Sequence, residues 1–507
     1  MIRALNAEQA RSTENRAVAE QHASLASFMA SAGEAVASQV GERVPEGRIV
    51  VLCGPGNNAG DGWVAARELH AWGRDVRVFS LVAPTSLSGI AADAASAAVT
   101  AGVSWSETTP SSEDLASASV VVDALLGVGA RGALRGPLGA WVDAANASGA
   151  YMLAVDVPTG VDSDTGAVEG SAIRADATVT FTAPKLGLVL FPGAGFAGEV
   201  IVAQVGVEAS LADLADAPEL WAPEEYAALL PLPAPDAHKN SRGRLLVIAG
   251  SGSYPGAAVL AARGAMRSGA GYITLAVPEA VVPVAQAHLL AVPVVGMPQG
   301  RGRAFSSAAL EKLLQLARDY DAVVLGPGLT LADGAVVTAR GLVQRLDMPL
   351  VIDADGLNAL VGARGLLETL TAPTVLTPHP GELGRLLGIS TADVQRDRVF
   401  SSAELAMGST AVVLKGAGTV ISGEGRRVIN TAGTPALATA GTGDVLAGVV
   451  GALLAQGLSP LEAGALGAFL HGRAGEAAAA ALTPMCVTAE DVPDFLPDAV
   501  GELLDLW

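Results

Sequence analysis

Three groups of residues in this chain have the types and spacing to do chemistry. In TAGTGDVLAGVVGALLAQG (439–457), Gly441, Gly443 and Asp444 open a long apolar helical run. Glycine N–H groups at a helix N-terminus can cradle the oxygens of a transferring phosphoryl group, and a carboxylate just inside can accept a hydroxyl proton. Phosphoryl transfer to an alcohol needs that combination. The bland alternative makes Thr442 an N-cap and Asp444 a favourable first-turn charge. It leaves two glycines unexplained, since glycine weakens a helix start.

The second group is GPGNNAGDG (54–62), read as a loop between an apolar strand and a helix beginning near Trp63. Backbone N–H groups and a helix dipole at such a place can hold an anion, and two amides and a carboxylate among the glycines exceed what a turn requires. The spacing of Gly54, Gly56 and Gly60 is not G-x-G-x-x-G, and DVRVFSLV (75–82) ends without a ribose-gripping acid. Hydride transfer on a standard dinucleotide platform is therefore disfavoured. The third group is Asp123, Asp156 and Lys185, each at the carboxyl end of an apolar run. Strand ends at a switch point share one crevice, so these groups are expected to converge on the glycine loop. A carboxylate beside a lysine is an acid/base pair with mutually shifted pKa values, and Asp123 and Lys185 are the candidates.

The elements that must position these groups alternate along the chain. After an amphipathic helical stretch from Asn6 to about Val40 come RIVVLCG (48–54), DVRVFSLV, ASVVVDALLG (118–127), YMLAVD (151–156), DATVTFTA (176–183) and GEVIVAQVG (198–206), separated by Ala-rich helical sequence. Val- and Ile-rich runs of this kind indicate a parallel sheet covered on both faces. Between 209 and 235 the sequence becomes acidic and proline-rich, a connector with one short helix, and a boundary is expected near Pro223. Alternation then restarts with RLLVIAGS (244–251) and runs through AVVLKGAGTVISG (411–423), closing in helical segments 443–456 and 460–481. Two α/β domains, 1–222 and 223–507, account for the chain. The strings VVLCGPGNNAGDG (50–62) and VVLGPGLTLADG (323–334) look alike but do not extend into a repeat, and are read as one strand-to-turn device used twice.

Composition narrows the ligands. Lysine and arginine number 31 against 51 acids, a net charge of −20; no basic excess exists to neutralise the phosphates of nucleic acid or an anionic membrane, so neither is an expected partner. Small anions remain open if glycine loops and helix N-termini hold them. Cys53 and Cys486 lie far apart and form no C-x-x-C pair, so neither a disulfide framework nor a thiolate zinc site is encoded, and a reducing compartment is expected. MIRALNAEQARSTENR lacks the apolar run of a signal peptide, and VLAGVVGALLA (445–455) is short of the roughly 20 residues that span a bilayer. A cytoplasmic location is expected.

GPGNNAGDG together with VVDALLGVGARG, AVDVPTGVD and FTAPKLG resembles the NAD(P)H-hydrate epimerase domain, which implies a Rossmann-like three-layer αβα fold through most of 1–215. The resemblance implies substrate contacts at Asn57, Asn58, Ala59, Gly60 and Asp61, at Gly127, Val128, Gly129, Ala130, Arg131, Gly132 and Ala133, and at Asp156. It also implies a potassium ion (K+) near Asn58, Asp123 and Thr159; an oxygen-only set suits a hard cation. Ala59 stands where that family usually has a third glycine, and Thr159 where serine is common.

AGTGDVLAG resembles the catalytic motif of ribokinase-like enzymes, and no Walker A sequence offers a rival phosphate loop. HKNSRGRLLVIAGSGSYPGAAVLAARGAMRSGAG (238–271), VVLGPGL, VIDADGLNAL, LTPHPGEL and LKGAGTVI extend the likeness to the ADP-dependent NAD(P)H-hydrate dehydratase, with a ribokinase-like αβα fold. That resemblance implies that ADP phosphorylates the C6 hydroxyl of the S epimer, giving AMP, and that phosphate then leaves to restore the dihydronicotinamide. It implies Asp444 as base, substrate contacts at Ala257, Gly328, His379 and Asp444, and nucleotide contacts at Lys415, Gly416, Ala417, Gly418, Thr419 and Gly443. A magnesium ion (Mg2+) bridging phosphates is expected, with Glu382 and Asp355 as candidate holders. The family resemblance also implies a homo-oligomer. The alternative is a ribokinase-like small-molecule kinase with an N-terminal nucleotide-binding domain, distinguished by release of a stable phosphorylated product.

Overall fold

The computed structural model describes residues 2–21, 23–207 and 216–507. It divides into two compact units, Ile2–Ala217 and Pro218–Trp507. The division falls a few residues ahead of Pro223 because the later part of the acidic, proline-rich stretch is built into the second unit. Glu219 pairs in register with Val428, the short helix Pro223–Ala227 follows, and Tyr226 stacks on Phe469 with ring centroids 4.1 Å apart. Residues 209–215 of the expected connector lie outside the described residues.

In the first unit seven parallel strands lie in the order Ser104–Ser106, Val76–Ser80, Arg48–Cys53, Ala118–Ala124, Tyr151–Val155, Ala177–Phe181 and Glu199–Ala203. The near-continuous apolar run of Arg48–Cys53 reflects burial on both faces. Ile49, Val51 and Cys53 pack with Val36 and Trp63. Val50 and Leu52 point the other way, onto Leu115 and Trp141, as strand side chains alternate. The N-terminal helical stretch resolves into two helices, Ala7–Gln21 and Leu25–Arg43. Ser24 starts the second, accepting a hydrogen bond from the Ser27 N–H in a capping box.

The second unit repeats the three-layer plan. Seven parallel strands run Val294–Met297, Tyr272–Pro278, Arg244–Ile248, Ala322–Leu325, Leu350–Ile352, Thr374–Leu376 and Thr410–Leu414. Leu245 and Val247 face the core under helices Pro255–Met266, Thr442–Ala455 and Pro460–Leu482, while Leu246 and Ile248 face the opposite core. The segment 411–423 departs from the purely parallel expectation. Thr410–Leu414 and Thr419–Gly423 are antiparallel neighbours around the turn Lys415–Gly418, and Arg426–Asn430 continues the antiparallel edge. Glu424 and Gly425 both have positive φ (54° and 73°), the two-residue turn whose twist suits a tight hairpin.

The two similar strings do share a device. A Cβ on Gly54 would lie 1.8 Å from the Leu125 carbonyl oxygen, and one on Gly326 would lie 1.8 Å from that of Asp353. In each unit the chain leaves its strand pressed against the backbone of the next strand's end, where no side chain fits.

Candidate active sites

In each unit the direction of chain progression across the sheet reverses beside the first strand, and the loops after the two strands there open a crevice. In the first unit these are the ends of Arg48–Cys53 and Ala118–Ala124. The helix expected from Trp63 begins earlier, at Asn57, with Gly56 as its N-cap. Asn57, Asn58 and Asp61 therefore ride on the first helical turns rather than on a loop. Helical backbone also explains why alanine is accommodated at 59: it is fully buried and needs no left-handed conformation. Gly60 turns away from the crevice, since a Cβ there would lie 2.4 Å from Met29 Cε.

The crevice is a cavity of about 590 Å³ whose wall includes Asn57, Asn58, Asp61, Gly127, Val128, Gly129, Ala130, Asp156 and Lys185. Arg131, Gly132 and Ala133 line an adjoining recess with Gly129 and Ala130. Lys185 Nζ lies 2.5 Å from Asp156 Oδ1 and donates to Thr180 Oγ1 at 3.0 Å. Asp156 adopts φ 65°, a left-handed conformation that aspartate tolerates better than most residues and that is enriched at functional sites. Burial pushes the Asp61 carboxyl well above the usual carboxylate range, and the charges of Asp156 and Glu14 push it in the same direction.

Asp123 lies apart from that pair. It is fully buried; its Oδ1 accepts from Thr159 Oγ1 at 2.7 Å and from the Leu125 N–H at 3.2 Å, and its Oδ2 from the Thr159 N–H at 2.8 Å. Burial raises its pKa to about 6. No ion pair reaches it among the described residues. Asn58 stands beside the loop that follows the Asp123 strand: its side-chain oxygen lies 2.9 Å from where a Gly127 Cβ would stand, and its Nδ2 is buried without a partner among the described residues. A buried carboxylate lacking a counter-charge among the described residues, with oxygen atoms around it, fits a hard cation.

Sequence patterning gave no sign of two further residues. Arg11 and Glu14, on helix Ala7–Gln21, also line the cavity, and the Glu14 pKa is raised by crowding protein and, in smaller measure, by Asp156. They lie on an amphipathic helix among other charged residues, with no glycine or motif to mark them.

In the second unit Gly441, with φ 97°, is the N-cap of Thr442–Ala455. Its αL conformation favours glycine, and an added Cβ would also stand 2.7 Å from Leu260 Cδ1 and 3.0 Å from Ala489 Cβ. Thr442 Oγ1 donates back to the Leu437 carbonyl at 2.9 Å, and His471 Nε2 lies 2.9 Å from the Thr442 oxygen, fixing the helix start. Burial lowers the His471 pKa to about 4, so its ring is neutral. Asp444, on the first turn, has its pKa raised to about 7, chiefly by burial and next by Asp353, against the lowering effect of Lys415.

Lys415 meets this turn from the far edge of the parallel strands: a Cβ on Gly443 would lie 3.2 Å from its Nζ. The ammonium bonds Asp353 Oδ1 at 2.7 Å and stands 3.9 Å from Glu382. Asp353 is 1% exposed and also accepts from Thr377 Oγ1 at 2.7 Å. Its neighbour Asp355, which the sequence singled out, accepts from the Thr330 N–H at 2.8 Å, and its charge also raises the Asp444 pKa. His379 caps helix Pro380–Leu387, with Nδ1 accepting from the Gly381 N–H at 3.0 Å while Glu382 accepts from the His379 N–H at 2.8 Å. Burial lowers the His379 pKa. Ala257 and Gly328 adjoin each other at the switch point, an added Gly328 Cβ lying 2.9 Å from Ala257 Cβ.

Residues 25–187 match the family described as YjeF-related protein N-terminus, and residues 245–498 match the NAD(P)H-hydrate dehydratase family. The bifunctional NAD(P)H-hydrate repair enzyme Nnr of Thermofilum pendens is 40% identical over 89% of this chain and 87% of its own length. The protein of that name from Moorella thermoacetica is 39% identical, covering 91% and 89%; the one from Escherichia coli is 34% identical, covering 92% and 87%. Among solved structures, the ADP/ATP-dependent NAD(P)H-hydrate dehydratase from Bacillus subtilis, co-crystallized with ATP/Mg2+, is 31% identical with TM-score 0.48 over 56% of this chain and 98% of its own.

Proposed function

The chain belongs to the family of bifunctional NAD(P)H-hydrate repair enzymes, and from that premise we propose how its two units divide the repair. The first unit interconverts the R and S epimers of NAD(P)H hydrated at C6 of the nicotinamide ring. The second dehydrates the S epimer to NAD(P)H at the expense of ADP.

In the first unit the Lys185–Asp156 pair handles protons at C6, because it is the charged pair that opens on the cavity. The Asn57–Asp61 turn and the Gly127–Ala133 loop hold the nucleotide. Asn58, Asp123 and Thr159 would hold a potassium ion, which supplies positive charge where the substrate is anionic. Asp123 thus belongs to the support of the site, and Asp156 takes the proton-handling role.

In the second unit Asp444 removes the C6 hydroxyl proton, the oxygen attacks the terminal phosphorus of ADP, and AMP departs. The C6–O bond then breaks with phosphate as leaving group, pushed by the ring nitrogen's lone pair, and loss of a C5 proton restores the double bond. The Gly441–Gly443 backbone donates to the oxygens of the transferred group. Lys415, held by Asp353, faces the same oxygens, and Lys415–Thr419 receives the nucleotide. When bound, a magnesium ion neutralises phosphate charge; Glu382 and Asp353 are the carboxylates beside Lys415 that would face it. Ala257, Gly328 and His379 border the hydrate. The chain is read as a homo-oligomer acting in the cytoplasm, and no helix among the described residues is long and apolar enough to cross a membrane.

The observation that carries this reading is the convergence of Asp444, Gly443 and Lys415 at one helix N-terminus. Mixed NADH hydrate epimers supplied with ADP and magnesium should be converted completely to NADH, followed by dihydronicotinamide absorbance. No recovery would overturn the reading; recovery of the S fraction alone would remove the first activity.

A further inference from the structure

Arg398 is 3% exposed, yet no carboxylate pairs with it among the described residues. Its guanidinium is spent on the Lys415–Gly418 turn. Nη2 donates to the carbonyls of Leu414, Lys415 and Gly418 at 3.0, 3.1 and 3.2 Å. Nη1 donates to Gln395 Oε1 at 2.5 Å, and Nε is buried with no acceptor. Gly416 has φ 131°, and a Cβ there would lie 3.3 Å from both Nη1 and Nη2, so the turn is moulded directly on the guanidinium.

A trans peptide points its C=O and N–H in opposite directions. Drawing the Lys415 carbonyl in toward Arg398 therefore turns the Gly416 N–H away from it. The N–H groups of Gly416, Ala417 and Gly418 make no hydrogen bond to another group among the described residues. Successive free backbone N–H groups in a turn form an anion-binding concavity. A buried cation behind that concavity strengthens it, because low dielectric leaves the charge poorly screened. An arginine that served only the fold would be expected to take a carboxylate partner, since burying an unpaired cation is costly.

We propose that Arg398 is a positioning residue for the diphosphate of the nucleotide, presetting the Lys415–Thr419 turn as its acceptor and placing a positive charge behind it. The proposal rests on reading that turn as the nucleotide site.

The test uses the full chain, with S-hydrate saturating and ADP titrated. Arg398→Met should raise KM for ADP about tenfold or more while KM for the hydrate and the epimerisation rate stay unchanged, and kcat at saturating ADP should fall far less than kcat/KM. Arg398→Lys, which keeps the charge but cannot fork to three carbonyls, should give an intermediate KM, and added guanidinium should lower the KM of Arg398→Ala. Gln395→Leu, which frees one guanidinium nitrogen, supplies a milder rise in the same constant if the Arg398 variants do not fold. Lys415→Met is run alongside. If it raises KM for ADP and the Arg398 and Gln395 variants do not, the positioning role is overturned; if none of them moves KM for ADP, the nucleotide reading of the turn itself fails.

Discussion

Thr180 Oγ1 bridges the two members of the first-unit ion pair, 3.0 Å from Lys185 Nζ and 3.2 Å from Asp156 Oδ1. The side chains of Lys185 and Asp156 are 4% and 12% exposed, and Lys185 is the cation in direct contact with Asp156. Groups that act as one unit lose function non-additively. Asp156→Asn and Lys185→Met should each lower epimerisation by roughly 10²-fold or more, and the double variant should be little worse than either. The rate of R-hydrate consumption with dehydration in excess measures this. Losses that add would assign the two residues separate steps.

Potassium provides a second prediction. Asp123 is a carboxylate with three donors and no cationic neighbour among the described residues, so an ion beside it relieves a buried charge. Epimerisation should be faster in potassium chloride than in choline chloride at equal ionic strength, and Asp123→Asn should remove the difference. The S-hydrate dehydration rate serves as control, as does circular dichroism of the variant. A rate in the unaltered chain that is indifferent to the cation would mean that Asp123 is satisfied by Thr159 and Leu125 alone.

Asp444 sets the pH response of the second activity. A base with pKa about 7 is half protonated at neutrality, so kcat/KM for dehydration should fall about tenfold per unit as pH drops below 7 and level off above it. The same shift has a stability consequence. The folded carboxyl holds its proton more tightly than the unfolded one, so its contribution is fully favourable below pH 3.8 and is lost as pH rises through about 7. Asp444→Asn resembles the protonated form. It should abolish dehydration, leave epimerisation intact, and raise Tm at pH 8 by relieving no more than about 4 kcal/mol, with the gain vanishing near pH 4. A variant equally unstable at both pH values would contradict the shifted pKa.

Much of this arrangement is legible in the chain. Strands buried on both faces wrote themselves as Val/Ile runs, and glycines at 54, 326, 328 and 441 marked where neighbouring protein atoms press close. What stayed hidden is partnership across sequence. Nothing local says that Lys185 pairs with Asp156 and not Asp123, or that Lys415 is held by Asp353 rather than by Asp355 two positions on. Those choices depend on which strand ends lie side by side, a product of the strand order. Glu14, Arg11 and Arg398 were hidden for a related reason: each sits on an ordinary helix, and only docking aims it at a site. The apolar run 411–423 concealed both the change to antiparallel pairing after Leu414 and the hairpin turn at Glu424-Gly425.

The helix bearing Asp444 gives the sharpest stability prediction, because one substitution should act in opposite directions at two places. A Cβ on Gly448 would lie 1.9 Å from the Ala261 carbonyl oxygen, and one on Gly264 would lie 2.3 Å from that of Val445. Helices Thr442–Ala455 and Pro255–Met266 thus touch backbone to backbone, with no flexible side chain to yield. Gly448→Ala should cost about 1–3 kcal/mol and push the helix aside, separating Gly443 and Asp444 from Lys415. Dehydration should therefore fall by more than the folded fraction does. Gly501, inside helix Val492–Leu504, meets nothing within 4 Å. There Gly501→Ala removes only the conformational freedom of glycine and should stabilise by up to about 1 kcal/mol. Chemical denaturation of the two variants, with dehydration rate per folded molecule, decides the matter: a Gly448→Ala protein with undiminished turnover would show that the close helix contact does not set the geometry of the site, and a destabilised Gly501→Ala protein would refute the open surroundings of Gly501.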